Sequence, residues 1–364
     1  MEHTSQLSPT KANYWRIVLA LAAKDIVDAI KNKTTLTMIL GLATMMLTVE
    51  ALPLLLKLDD RPRIAIYDAG RTGLADELRR QGTVRVVELR SAGDALIVAR
   101  ETSGPLLALT LPEGWDTDTG TITGGGYLAH WIGAQSTNRL INQAEVALAD
   151  ATGRPVTIQT DTVYPTLESG GHTVMIAMGL VLATILITTI LVPYLILEEK
   201  TAHTLDLLRV SPVTVNQMLL GKGLAGLVYG VLAAAVLLAF NLSMVNLWGI
   251  ILPAVLALIL FGVGLGLLVG IIVENEGGVQ MWIGLLVVLL VFPLMLSFFS
   301  SDRLPAWVQP LFRWLPTTAT FDLVRLSFGN TWPAAEIWPR LAAALIAVIL
   351  VFVAAGWRLR RWEA

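Results

Sequence analysis

The sequence predicts an α-helical polytopic membrane protein with six transmembrane helices and an α/β domain inserted between spans one and two. The first observation is composition: 55% of the 364 residues are hydrophobic and 15% are charged, whereas a soluble domain carries about 25% charged residues. The second is patterning, because the apolar residues form about five or six charge-free blocks of the length that crosses a bilayer as a helix. The third is a stretch of ordinary soluble composition between Asp59 and His172.

The amino-terminal segment, residues 1–34, is predicted to be a cytoplasmic amphipathic helix at the membrane surface. No uninterrupted apolar core follows the polar residues 1–11, which argues against a cleavable signal peptide. Apolar residues recur at helical spacing with charged residues between them, a pattern typical of an interfacial helix. The alternative is a core-facing helix of a small cytoplasmic domain. The apolar positions are Trp15, Val18, Leu19, Ala22, Ile26 and Ile30, and the charged ones are Arg16, Lys24, Asp28 and Lys31.

Six segments are predicted to cross the bilayer as closed helices, because backbone groups find no hydrogen-bond partner in lipid. Basic residues precede span one, lie between spans two and three and follow span six, which predicts both termini in the cytoplasm. Residues 173–364 would then hold spans two to six, a cytoplasmic loop at 198–222 and an outer hairpin at 301–336. Three arginines in that hairpin oppose this orientation, although its tryptophans suggest a segment along the outer interface. The predicted spans are 35–57, 174–197, 223–245, 249–273, 279–299 and 337–357.

Residues 58–172 are predicted to form the α/β domain outside the cytoplasm. Alternating β-branched runs indicate strands, and the segments between them have helical patterning. Three consecutive glycines at 124–126 are expected to break the chain. The predicted strands or extended stretches are 63–67, 84–89, 106–111 and 155–164, and the predicted helices are 73–81, 92–101 and 136–152.

Small, kinking and acidic residues stand out inside the predicted spans. Gly262, Gly266 and Gly270 recur every fourth residue and give span four a flat face for close packing, either within one subunit or in a dimer. Glu50 is the single acidic residue inside an apolar block; it would lie in a transport pathway or reach the headgroups. The prolines expected to kink spans two, four and five are Pro193, Pro253 and Pro293.

No pattern in the sequence supports catalysis, metal binding or nucleic-acid binding. The formal net charge is −2, the chain has no cysteine, and its four histidines lack metal-ligand spacing. A phosphate-binding loop requires GxxxxGK[ST] after a strand. The one Gly-Lys pair, Gly221-Lys222, has Asn216 in place of the first glycine and borders a span.

The most informative segment follows the second predicted span. Glu198-Glu199-Lys200 ends the apolar helix, and a short amphipathic helix follows until Pro212. The alternative is a stop-transfer cluster with a solvated loop. Leu205, Leu207 and Leu208 give the segment an apolar face that a solvated connector would not need, which favours a rigid element in contact with another protein.

The run LILEEKTAHTLDLLRVSPVT at 195–214, followed by LLGK at 219–222, resembles the cytoplasmic loop of ABC-type exporter permeases of the type-2 class. Ala202-His203 replaces the glycine usual in that pattern. The similarity extends to the amphipathic first helix and to the large insert that begins with RIAIYD. It implies a homo- or heterodimer of permease subunits, in lipid of a bacterial plasma (inner) membrane, seated on two ABC ATP-binding subunits. ATP and Mg would bind those partner subunits; this chain would bind no cofactor and would not be an enzyme.

The resemblance also implies roles for single residues, because in that family the first helix and the charged loop transmit nucleotide-driven closure to the spans. A second class of function is a non-transporting membrane anchor or sensor, or a mechanotransmission protein, whose external domain binds a partner. Six spans and the 198–212 segment argue against it. The residues implied in ATPase coupling are Glu198, Glu199 and Lys200, which would cap the coupling element, Leu205, Leu208 and Arg209, which would contact the ATPase, and Ser211 and Pro212, which would end its helix.

Overall fold

The computed structural model describes residues 11–31, 61–117, 120–201, 214–299, 305 and 307–363, and only Thr37, Gly41 and Thr44 between 32 and 60. The predicted first span, with Glu50, therefore lies almost wholly outside the described residues. The same holds for the part of the predicted coupling segment that contains Leu205, Leu208, Arg209, Ser211 and Pro212.

An α/β unit follows the first helix. Its five-stranded sheet has the order β2-β1-β3-β4-β5, with β1 parallel to β2 and β3, and β4 antiparallel to β3 and parallel to β5. Ile64 and Ile66 of β1 point to the side covered by α2 and α4, and Ala65 points to the side covered by α3. The elements are α1 (Lys11–Lys31), β1 (Arg63–Asp68), α2 (Leu74–Gln81), β2 (Arg85–Glu88), α3 (Ala92–Glu101), β3 (Leu107–Leu111), β4 (Ile122–Ala129), α4 (Ala134–Thr152) and β5 (Val156–Val163).

The three consecutive glycines lie inside strand β4, so the prediction that they break the chain is wrong. A Cβ on Gly125 would lie 2.9 Å from the hydroxyl of Thr110, and one on Gly126 would lie 2.9 Å from Cγ2 of Ile158. Glycine is needed here because side chains of the neighbouring strands occupy the space that a Cβ would need on each face of β4.

A helical bundle follows the sheet. Five of its helices, α5, α6, α7, α8 and α11, are long and apolar enough to cross a membrane. They correspond to the predicted spans two to six, although α6 ends at Phe240 and α7 at Ile272, before the predicted ends at 245 and 273. This confirms a polytopic helical membrane protein within the described part of the chain. The elements are α5 (His172–Thr201), α6 (Val215–Phe240), a 3-10 turn (Leu242–Met244), α7 (Trp248–Ile272), α8 (Glu276–Phe299), α9 (Val308–Arg313), α10 (Pro316–Ser327) and α11 (Ala334–Glu363).

Helix α6 begins eight residues before the predicted third span, at Val215. Its amino terminus is fixed by a capping box, in which the Thr214 side chain accepts from the Gln217 amide and the Gln217 side chain accepts in return. The loop predicted at 198–222 is therefore shorter, because α5 continues to Thr201 and residues 215–222 are helical. Lys222 lies inside α6, not before it.

The bundle has two chemically different ends. At the sheet end, the His172 amide donates to the Thr102 carbonyl at 3.3 Å, and Arg325 Nη2 of α10 donates to the Ser169 carbonyl at 2.6 Å. His130 Nε2 also meets the Met244 carbonyl there at 3.0 Å, and burial lowers the pKa of that histidine, which favours the neutral ring. At the opposite end, called the junction end below, lie α1, the end of α5, the start of α6 and the end of α7.

Helices α5 and α7 run in the same direction and pack closely inside the chain. Gly262, Gly266 and Gly270 of α7 face Thr188, Val192 and Ile196 of α5 in matching steps of four residues. A Cβ on Gly266 would lie 2.8 Å from the Cβ of Val192. The predicted flat glycine face is therefore filled by a helix of the same chain.

Candidate functional site

The candidate site is built where α1 lies against the first turns of α6. Val18 and Ala22 are buried, and a Cβ on Gly221 would lie 2.9 Å from the Cβ of Leu21, so the two helices approach closely. The Tyr229 hydroxyl of α6 donates to the Ile26 carbonyl of α1 at 2.6 Å.

The sequence suggested that the apolar residues of α1 share one face. In the structure they do not. Val18 and Ala22 face α6, whereas Trp15 and Leu19 are more than half exposed and point away from it. The bundle itself supplies the surface on which α1 packs.

Four charged side chains join α1, α5 and α6, and they are called the charge network below. Lys222 Nζ lies 3.3 Å from Asp25 Oδ2 and 3.5 Å from Glu199 Oε1. Lys24 Nζ donates to the same Glu199 oxygen at 3.1 Å. Each of the three helices therefore contributes at least one member.

The electrostatics of the network explain how charges are tolerated here. The Lys222 side chain is 2% exposed and that of Asp25 is 7% exposed, and a buried ion without a partner would be costly. Burial raises the pKa of Asp25, and the Lys222 ammonium opposes part of that rise. Burial acts to lower the pKa of Lys24, but its hydrogen bond and charge interaction with Glu199 raise it overall. Two carboxylates balance two ammonium groups.

What this arrangement can do is mechanical. It holds α1 to two long helices through buried charges. Among the described residues, no group of three or more His, Asp and Glu side chains could hold a metal ion.

A comparison with protein families identifies the chain. A family model described as ABC-2 family transporter protein matches residues 118–358, which is more than half of the sequence. The chain belongs to the ABC-2 transporter family. No curated protein matches it. The match confirms the resemblance and gives no support to a non-transporting anchor or sensor. Proteins of this family are membrane components that are not themselves the ATPase.

Family members generally work with an ATP-binding subunit. The matched residues include only part of the charge network. Glu199 and Lys222 of this ABC-2 transporter lie in the matched region, whereas Lys24 and Asp25 precede it. Most of the sheet is also outside the match, since β1, β2 and β3 end before residue 118.

The predicted coupling residues of the transporter that the structure describes lie in the last turn of α5 and point in different directions. Glu198 is exposed, Glu199 joins the charge network, and Lys200 donates to carbonyls at the end of α7. The other predicted coupling residues and Glu50 lie outside the described residues, so their roles stay predictions.

Lys24, Asp25 and Lys222 are members of the charge network that were not among the predicted site residues; the two buried ones, Asp25 and Lys222, are the more informative. Asp25 lies seven residues after Val18 and three after Ala22, which places its carboxylate on the buried face of α1. Lys222 is a lone charge in an apolar helix. Each of these two positions signals a buried charge in the sequence, but neither indicates its partner.

Proposed function

We propose that this chain is the permease subunit of an ATP-driven exporter, which forms the substrate pathway as a dimer with a second permease subunit. Separate ABC ATP-binding subunits bind ATP and Mg and dock on α1 and on the 198–212 segment. Their nucleotide-driven closure moves the spans. Transport then requires that substrate bind the two states of the bundle with different affinities.

The observation that carries the proposal is the charge network, because it joins the proposed docking elements to two long helices. The Asp25–Lys222 pair fixes α1 to α6, and the Lys24–Glu199 pair fixes α1 to the last turn of α5. Separating Lys222 from Asp25 and Glu199 would leave a buried charge uncompensated, which is strongly unfavourable. The Lys24–Glu199 pair adds less, because 55% of the Lys24 side chain is exposed. A displacement of α1 or of residue 199 is therefore carried into both helices.

Charge distribution and chain path support the proposed orientation. Lys24, Lys200 and Lys222 lie at the junction end, which the positive-inside rule assigns to the cytoplasm. The sheet then lies outside the plasma (inner) membrane of a bacterium. Because the charge network and the sheet lie at opposite ends of α5, we propose that the apolar stretch 35–57 is span one, which makes the α/β domain an insert between spans one and two.

The proposed docking is tested by charge reversal at Glu198, the exposed acidic residue of the last turn of α5. Glu199 is less informative because its reversal would also break the charge network. The Glu198→Lys variant should lose roughly tenfold or more of its association with the ATP-binding subunit, since like charges across an interface repel. The measurement is co-purification of the two subunits from detergent.

Glu168→Lys is the matched control, because Glu168 is equally acidic and exposed but lies at the sheet end. It should leave the association unchanged. Full association of the Glu198→Lys variant, with the control also unaffected, would remove residue 198 from the docking surface.

A further inference from the structure

The last turn of α5 has two sides that meet different helices. On one side Glu199 contacts Lys222 and Lys24, which belong to α6 and α1. On the other side Lys200, the next residue, reaches the end of α7. Neighbouring residues therefore connect one helical turn to three other helices.

The contact between Lys200 and α7 is a charged cap on a helix terminus. Its Nζ donates to the carbonyls of Gly270 at 2.8 Å, Ile271 at 3.1 Å and Val273 at 2.7 Å. The last carbonyls of a helix have no partner within it and carry partial negative charge. An ammonium group has three donors and no acceptor, so it matches three convergent carbonyls.

Lys200 also completes the row by which α5 and α7 interlock. Thr188, Val192 and Ile196 face the three glycines of α7, and Lys200 is the next residue in the same four-residue spacing. Between Thr188 and Ile196 the two helices cannot slide past each other, because side chains of α5 fill the positions where α7 lacks a Cβ. The cap extends this rigid pairing to the end of α7.

The end of α7 leads directly to the next span. Only residues 273–275 separate α7 from α8, which begins at Glu276. Helix α8 is less enclosed than α7: Met281, Leu285 and Phe292 of α8 are each about half exposed or more. A displacement of the Lys200 turn would therefore reach α8 through a short link.

We propose that Lys200 is a positioning residue that transmits nucleotide-driven displacement of the α5 terminus to the end of α7 and so to α8. It acts through the carbonyls of α7 and not by touching the ATPase. The proposal deepens the proposed function and rests on it, because the displacement originates in the ATP-binding subunit.

The test uses the full chain in complex with its ATP-binding subunit in lipid nanodiscs. The chain has no cysteine, so single reporters are introduced by Ala23→Cys on α1 and Gln280→Cys on α8, both exposed positions, and labelled with an environment-sensitive fluorophore. The signal is the fluorescence change between the nucleotide-free complex and the complex trapped with ATP, Mg and vanadate.

Lys200→Met should reduce the nucleotide-dependent change at residue 280 by at least about fivefold and leave that at residue 23 within about twofold. Lys200→Arg should restore the signal at 280, because its guanidinium also donates to carbonyls. The matched control is Thr201→Ala, since the Thr201 hydroxyl donates to its own helix at Leu197 and Glu198. It should leave both signals unchanged.

The outcomes separate this proposal from the proposed function. An unchanged signal at residue 280 in the Lys200→Met complex, or failure of Lys200→Arg to restore it, would overturn the role of Lys200. Absence of any nucleotide response at residue 23 in the unsubstituted complex would instead overturn the coupling on which the proposal rests. A parallel loss of both signals in Lys200→Met would make Lys200 a general structural residue and would also overturn it.

Discussion

A lysine inside an apolar helix, Lys222, is tolerated because two carboxylates lie beside it. Asp25 comes from α1 and Glu199 from α5, so the pairing that neutralises the lysine also assembles the junction. The residue contributes little as a surface charge, since its side chain is 2% exposed. Its value lies in fixing which helices meet at this point.

Removing one partner of this pair should be worse than removing both. Asp25→Asn or Lys222→Met alone should destabilise the protein by about 3–5 kcal/mol, because the remaining buried charge loses its partner in this pair. The double variant should recover a large part of that loss, so the coupling energy of the cycle should exceed the cost of either single substitution. Thermal unfolding of the purified chain in detergent measures the cycle, and strictly additive effects would mean that the two side chains do not interact.

The sequence contained both members of the pair but could not join them. The two residues are 197 positions apart, and no local pattern relates positions so distant. The acidic turn at 198–200 was visible because three charges directly follow an apolar run. The division of labour between Glu199 and Lys200 was not visible, since it depends on which helix lies on each side.

At the scale of elements, the contact of α5 with α7 depends on glycine at three positions. Because a Cβ on Gly266 would meet both the Val192 side chain and, at 3.0 Å, the Thr188 carbonyl, no change of rotamer can relieve the contact. The helices would have to separate.

Gly266→Ala should therefore destabilise the bundle by about 1–3 kcal/mol through overpacking. Gly284→Ala in α8 is the matched control, because a Cβ there meets nothing within 4 Å. It should change the stability by less than about 1 kcal/mol, since alanine is the better helix former. Thermal unfolding of the two variants under identical conditions compares them. Equal stability of both would show that the close approach is not needed.

The four-residue spacing of these glycines predicted close packing but not the partner helix. Helix α5 is apolar on every side, so its sequence does not mark Thr188, Val192 and Ile196 as one face. The prediction of the span boundaries was limited for a different reason. The Thr214–Gln217 capping box that starts α6 is a local signal in the sequence. The charge of Lys222 suggested a loop there instead, because it is neutralised from outside the helix.

At the scale of the whole molecule, the sheet and the charge network lie at opposite ends of α5. A helix of 30 residues is about 45 Å long, which exceeds the hydrocarbon thickness of a bilayer. The two regions should therefore face different compartments.

Labelling single cysteines from one side of the membrane checks this separation. Asp150→Cys on α4 should react with an impermeant maleimide in intact spheroplasts, and Ala23→Cys on α1 should react only after lysis. Both positions are exposed, so each serves as the accessibility control for the other once the membrane is opened. Reaction of both from the same side would contradict the proposed orientation.

All five strands of the sheet lie within one continuous stretch, from Arg63 to Val163, and none is contributed by the bundle. Domains generally fold as units, those nearer the amino terminus first, while the chain is still being made. In the proposed orientation, the ribosome delivers this complete stretch before α5 is synthesised. The sheet can therefore fold in the outer compartment before the later helices are inserted, so the bundle assembles after the α/β domain is complete.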